Sequence, residues 1–435
     1  MKLLVLTRSP WDDTNSLGNT MTNFWAGWNS EDISNIYCRA AKPNNNVCQR
    51  YYSITEKELL RSIFKPSYLP GKTFIWNEYK ENTNFEDKEA KYEEKLYSFF
   101  RKNSFVIAQW GQEFLWKIGK WNNSNLDQFL FNFKPDIIFA SCFATSYPHK
   151  LLWYIKEKTN AKVVLFHADD YLTVDGLGGS TFAWVNRKIR AKRVTQSAKE
   201  ADMNYCISHK QQEEYSLKLK KEMKLLYKGA DFSKKSIYKR DNSGELIRIV
   251  YVGSILCGRW KTLGMLARQI KQINAIKPIF ELLIYSQYQP SHEAVESMAI
   301  DGASHFMGKV PATQVPQVLN DADIVLHVES FDIKERLATR LSFSTKIVDC
   351  FHSGRCVFAI GWKEAASIDY LIKNDAALVA TDEKSIVIQL DRIINNQDLI
   401  EEYAQKAWEC GIRNHQIDKI QKGLYEDLVK LVKYN

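Results

Sequence analysis

The sequence predicts an α/β protein made of two doubly wound halves, each a parallel sheet with helices on its faces. Short apolar runs alternate with helical patterns along most of the chain, which is how parallel strands are connected. The alternation stops in the polar stretch Asp241-Asn242-Ser243-Gly244 and restarts at Ile247. The chain has 435 residues, 45% hydrophobic and 26% charged, with no collagen-like or Gln-rich tract. That is globular composition, long enough for two or three domains.

In chain order, Lys2-Leu3-Leu4-Val5-Leu6 is a buried strand, and the polar Asp, Asn and Gly loop from Trp11 to Thr20 leads into a helix. Further strands are expected at Ile137 to Ala140, Val163 to Phe166 and Tyr205 to Ile207, with helices over Lys150 to Lys158 and Arg187 to Glu200. Residues 71–133 interrupt this half as a helical, aromatic-rich insertion. It carries a charged stretch, Glu86 to Lys95, then Phe99, Phe100, Phe105, Trp110, Phe114, Trp116 and Trp121.

The second half reads as strand Ile247 to Val252, helix Leu263 to Ile273 and strand Phe280 to Tyr285. Helix Val315 to Asn320, strand Ile324 to Val328, helix Thr345 to Phe351 and strand Cys356 to Ile360 follow. The expected domains are 1–240, 241–415 and a C-terminal helix, 416–435, that packs back on the first. Ligands of such sheets lie at the C-terminal strand ends, so two facing halves imply a cleft.

Several classes are excluded. The longest nearly apolar run, Ile137 to Ala144, falls far short of the roughly 18 residues a membrane-crossing helix needs. Leu3 to Leu6 is too short for the apolar centre of a secretory signal, which leaves the cytoplasm as the expected location. The eight cysteines include no Cys-x-x-Cys pair and no zinc-finger spacing. They read as reduced, mostly buried thiols, and no metal site is expected. The net charge of +9 is concentrated: Arg187 to Arg240 holds 16 Lys or Arg against six Asp or Glu.

Two constellations suit phosphate. In Ser342-Phe343-Ser344-Thr345-Lys346-Ile347-Val348-Asp349, cap-type residues and a lysine stand at a helix start; an ordinary capped helix is the alternative. In Val250-Tyr251-Val252-Gly253-Ser254 followed by Gly258-Arg259-Trp260-Lys261, a strand and glycine turn lead to two cations. Fixed positive charge there would stabilise a departing diphosphate; the alternative is a surface loop. The P-loop spacing is absent.

With their intervening strands these segments resemble GT-B glycosyltransferases, in particular glycosyltransferase family 4 and bacterial capsule and surface-polysaccharide enzymes. Val163 to Asp170 is similar to the family's strand ending in His-Asp, and Ala201-Asp202 through Ser208 to its Ala-Asp, strand, Ser segment. Lys228-Gly229-Ala230-Asp231 is similar to its interdomain Asn-Gly-Val-Asp. Phe306-Met307-Gly308-Lys309-Val310 is similar to the Phe-x-Gly-x-Val turn beside the nucleobase, and Ala322-Asp323-Ile324 to the strand leading to the phosphate loop.

The resemblance implies donor diphosphate contacts at Gly253, Arg259, Lys261, Ser344, Thr345 and Lys346, and ribose or base contacts at Asp349, Lys309 and Val310. Asp349 takes the place of the second Glu of a Glu-x7-Glu motif; Leu341 stands at the first. Glu329, from a nearby loop, is then a candidate for the donor sugar. In the first half the resemblance places His167, Asp169 and Asp170 in catalysis, and Gly18 and Asn19 on a glycine-rich acceptor loop that also bears Asp12 and Asp13.

Asp321-Ala322-Asp323 matches a metal-binding Asp-x-Asp but follows a helix, where such aspartates are not expected. Gly176-Leu177-Gly178-Gly179 lies too far from its strand for a nucleotide fingerprint and reads as a cleft loop. The run Arg187 to Arg193, after Phe182 and Trp184, suits anionic lipid; a solvated helix face is the alternative, and no nucleic-acid module accompanies it.

The expected function is transfer of a sugar from a nucleotide-diphosphate donor, a UDP-sugar ahead of a GDP-sugar, without metal or other cofactor. The expected acceptor is a saccharide, lipid-linked, at the inner membrane face, with retention ahead of inversion. The alternatives are a GT-B epimerase of nucleotide sugars and a non-catalytic GT-B subunit.

Overall fold

The computed structural model describes residues 1–78, 106–174, 176–234 and 246–433. Glu86 to Lys95, Phe99, Phe100, Phe105 and the polar stretch from Asp241 to Gly244 lie outside them.

The chain forms two units, Met1–Leu226 with Gln421 onward, and Tyr227–Ile420. The first holds an eight-stranded sheet in the order β4-β3-β2-β1-β5-β6-β7-β8. Its strands are β1 (Leu3–Leu6), β2 (Ile33–Tyr37), β3 (Arg50–Ser53), β4 (Lys72–Ile75), β5 (Ile137–Ser141), β6 (Lys162–His167), β7 (Met203–Cys206) and β8 (Lys224–Leu225). Only the β3–β4 pair is antiparallel. All of β1 and β5 is buried, because helices cover both faces of the sheet and leave no solvent side for alternation.

The ends of the expected insertion belong to this sheet. Lys72–Ile75 is its antiparallel edge, and helix Ser124–Phe133 feeds β5. Trp116 is buried and stacks on Tyr147 with centroids 4.2 Å apart. The last helix, Ile417–Lys433, buries Leu424, Leu428 and Leu431. Within the first unit its Asp427 carboxylate accepts from Tyr205 Oη (2.7 Å) and Lys224 Nζ (2.6 Å).

The second unit is an all-parallel six-stranded sheet in the order β11-β10-β9-β12-β13-β14. These strands are β9 (Ile247–Val252), β10 (Phe280–Tyr285), β11 (Ser304–Gly308), β12 (Ile324–Val328), β13 (Cys356–Ile360) and β14 (Leu378–Ala380). Counted within the unit the order is 3-2-1-4-5-6, whose direction reverses between β9 and β12. All eight cysteines are free, and Cys257 is the exposed one.

Candidate active site

The reversal between β9 and β12 opens a crevice beyond their C-terminal ends. Gly253 follows β9, and its N–H donates to Tyr285 O (2.9 Å). A Cβ on Gly253 would stand 2.7 Å from Tyr251 Oη and 2.9 Å from Lys346 Nζ. Glycine is what lets the lysine come against the strand end.

From the other side, Gly258 turns the chain with φ +72° into helix Arg259–Asn274. A Cβ there would meet Ser330 Oγ at 2.4 Å. Arg259 Nε donates to Val328 O (3.0 Å) and Nη2 to Glu329 Oε2 (2.8 Å). Thr262 Oγ1 donates to Glu329 O (3.1 Å). Glu329 was read as a loop acid near the donor sugar. It is 6% exposed, and its carboxylate anchors Arg259.

Burial raises the Glu329 pKa against the pull of Arg259. Burial opposes the Arg259 charge too, but Glu329, Tyr251 and Cys257 together outweigh it and raise its pKa. His327, also buried, has Nε2 3.5 Å from Glu329 Oε1. Burial first, then Arg259 and Lys346, pushes its pKa down to about 3, so it is neutral at physiological pH. Lys346 is reachable by solvent yet hemmed in by protein. That enclosure, with repulsion from Arg259, brings its pKa down to about 8. Two cations around one buried carboxylate leave an excess of positive charge, suited to an anion.

The remaining expected donor contacts are distributed differently. Lys261, half exposed, pairs with Asp332 at 2.7 Å rather than standing free. Thr345 precedes helix Lys346–His352 with helical backbone angles and no side-chain cap bond, so the expected hydroxyl cap is not formed. Ser344 N–H donates to Ser367 Oγ (3.1 Å). Asp349 is held by Lys228 Nζ at 2.7 Å, so a ribose would compete with an ion pair. Past Gly308 (φ +76°), Lys309 is exposed and Val310 buried. Asp323 accepts from Arg248 N–H (2.7 Å) at the N-terminal ends of β9 and β12, away from the crevice. Among the described residues no three His, Cys, Asp or Glu side chains gather as a metal site.

In the first unit, His167 ends β6 fully buried, not at a surface. Asn204 Nδ2 donates to Ala198 O (2.9 Å), which turns Asn204 Oδ1 toward His167 Nε2 (3.1 Å). Nε2 therefore carries the proton, and Nδ1 is a bare acceptor with no partner among the described residues. Burial lowers the pKa of His167 to about 4. Asp170 is a staple of its loop: Oδ1 accepts from Leu172 N (3.0 Å), Thr173 N (3.1 Å) and Tyr215 Oη (2.9 Å). Asp169 keeps solvent access, and burial of its surroundings raises its pKa.

Gly18 and Asn19 are not on a loop. They lie in the first turn of helix Ser16–Trp25, whose Asn15 cap accepts from Gly18 N–H. Gly18 is nevertheless required, because a Cβ would come 2.0 Å from Asp12 O. The sequence reading missed His327 and Asn204; the signal for each was a polar residue inside a strand.

Residues 265–423 match the model of a family described as glycosyl transferase-like. Among solved structures the chain is similar to Anabaena HepE in complex with UDP, at 12% identity and TM-score 0.63, covering 99% of this chain and 100% of that one. It is also similar to sucrose-phosphate synthase of Thermosynechococcus elongatus, at 14% identity and TM-score 0.62, with full coverage of both chains. TarM matches at 11% identity and TM-score 0.59, over 99% and 98%. A search of curated proteins finds no match. The fold is GT-B. Within that fold, residues 265–423 form a glycosyl transferase-like domain.

Proposed function

We propose that the protein transfers a sugar from a UDP-sugar to a saccharide acceptor. The observation that carries this reading is the convergence of Arg259 and Lys346 at the strand-order reversal of the second unit, where a diphosphate leaving group would gain charge. Solved structures of HepE with UDP and UDP-glucose support uridine as the base. In this reading fixed cations stabilise the leaving diphosphate while the acceptor hydroxyl attacks the anomeric carbon, with retention ahead of inversion. Asp169 is the candidate to take the hydroxyl proton if the reaction inverts. No described helix is long and apolar enough to cross a membrane. A lipid-linked acceptor in surface-polysaccharide synthesis draws support from the exposed Phe114, Phe182 and Trp184 beside the basic run.

Calorimetry with UDP, GDP, ADP and CMP in EDTA, on the wild type and Lys346→Ala, tests the donor site. UDP is expected to bind best and to lose at least tenfold in the variant. No binding by any nucleotide removes the donor reading. Buried Leu341, in place of the family's first Glu, favours a second reading, a non-catalytic subunit. Such a subunit would bind UDP-sugar yet release no UDP when an acceptor is supplied.

A further inference from the structure

We propose that Arg187 and Arg190 form a phosphoryl-binding site over the C-terminal edge of the first sheet, and that the acceptor is held there by a phosphate group. The acceptor half of the proposal rests on the function argued above; the anion site does not.

Helix Thr181–Glu200 has 20 residues, about 30 Å at 1.5 Å per residue. The neighbouring β6 has six, about 20 Å. Only Val194, Ser197 and Ala198 of the helix are buried, all in its second half. The first half therefore overhangs the strand ends. Stepping back along the buried face by four and then three residues leads from Val194 to Arg190 and Arg187. The seam that packs on the sheet continues past the edge as two guanidiniums.

These two do not project into solvent as a lipid-binding cation would. Both are half buried, whereas Lys188 and Lys192 of the same helix are exposed. Arg190 lies over the Tyr171 ring, 5.3 Å from its centroid, an arrangement that leaves the N–H edge of a guanidinium for a ligand. It stands close enough to Asp169 and to Cys142, the residue after β5, to perturb both. Among the described residues it makes no ion pair, and its buried Nε has no partner. Arg187 Nη2 donates to Gly178 O (2.7 Å), and its Nε is likewise buried without a partner.

Asp170 favours the charge of Arg190 through space, but its Oδ1 is turned to Leu172, Thr173 and Tyr215, and among the described residues it makes no ion pair with either arginine. Two neighbouring, partly desolvated guanidiniums with unmet donors are costly. A dianion that accepts from both offsets that cost, and a phosphate monoester carries nearly two charges at pH 7 where a carboxylate carries one. Asp169 beside Arg190 then faces the hydroxyl of a molecule whose phosphate the arginines hold.

The full-length protein, with and without saturating UDP, is titrated calorimetrically with glucose 6-phosphate, glucuronate and glucose. Flotation is measured on phosphatidylcholine vesicles, plain, with phosphatidylglycerol, or with a polyprenyl diphosphate-linked sugar. Glucose 6-phosphate is expected to bind at least tenfold tighter than the other two sugars, with UDP present or absent. Arg187→Gln and Arg190→Gln are each expected to weaken it about tenfold, Arg190→Lys less, with UDP affinity unmoved. Competition between glucose 6-phosphate and the polyprenyl-bearing vesicles assigns the phosphate to a lipid-linked acceptor; its absence assigns it to a free sugar phosphate. The proposal is overturned if glucose 6-phosphate binds no better than glucose, or if the Arg187→Gln/Arg190→Gln double variant binds it unchanged. Arginine-dependent flotation on phosphatidylglycerol without phosphate-probe binding overturns it in favour of a lipid surface. If UDP fails to bind while glucose 6-phosphate still binds through the arginines, the donor reading falls and this site stands.

Discussion

Gly253 and Lys346 are fitted to one another: the glycine's missing methyl is the space in which the ammonium rests, 2.9 Å from where a Cβ would be. Gly253→Ala is therefore expected to displace Lys346 Nζ and Tyr251 Oη together. UDP affinity should fall about tenfold or more, with a stability cost of about 1–3 kcal/mol from overpacking. Calorimetry and urea denaturation measure the two separately. Full UDP affinity in the variant would show that the contact is incidental.

Because its pKa lies at about 8, Lys346 loses its charge within an accessible pH range. A diphosphate favours the protonated amine, so UDP affinity is expected to fall as pH rises through 8, approaching about tenfold per pH unit. In Lys346→Arg the charge persists and the profile from pH 7 to 9.5 should flatten. An identical slope in both proteins would assign the pH effect elsewhere.

Glu329 and Arg259 form a buried pair at 2.8 Å, so removing one partner strands the other. Glu329→Ala is expected to cost about 3–5 kcal/mol in denaturant titrations, whereas the Arg259→Met/Glu329→Leu double variant regains much of that stability. The double variant should still lose UDP binding, which separates the fold's need for the pair from the ligand's need for the cation. Lys261→Ala, by contrast, opens an exposed pair and should change stability by under about 1 kcal/mol.

Four buried histidines set the acid limit. Burial lowers His149, His167 and His415 to about 4 and His327 to about 3. Below pH 6.5 the unfolded chain takes up protons that the folded chain refuses, so stability is full above that value and falls with acidification. Each group contributes up to about 1.4 kcal/mol per pH unit. Denaturation at pH 7, 6 and 5 should show the loss in both units, since each holds two of the four. A flat profile down to pH 5 would mean that these rings are protonated in the folded state.

The inner strands were legible because β1 and β13 are continuous apolar runs and β5, β9 and β12 are interrupted by one polar residue each, Ser141, Arg248 and His327. β7 and β10 were legible too, but β2, β3, β4, β8, β11 and β14 were not. In β2, Ile-Ser-Asn-Ile-Tyr is fully buried although two of its residues are polar, since Asn35 Nδ2 is satisfied by Val5 O and Thr7 Oγ1 across the sheet. β8 has two residues and β14 three, too short for any period. Arg259, Glu329 and Lys346 could each be named from sequence, but their meeting depends on strand order, and local pattern carries no information on that. Sequence marks charges without their partners. Hence Glu329 is assigned from sequence to the donor sugar and not to Arg259, and the arginines of residues 187–193 to a lipid-facing or solvated helix face.

The return of Gln421 to Lys433 to the first unit has a consequence for synthesis. That unit's last helix is translated after all of Tyr227–Ile420, a delay on the order of ten seconds or more at ~5–20 residues per second. Until then Tyr205 and Lys224 wait for Asp427, and Trp28 lacks the Tyr425 ring it packs against. The half begun first on the ribosome is completed second, and in the interval the nascent chain shows chaperones a patch that the finished protein conceals.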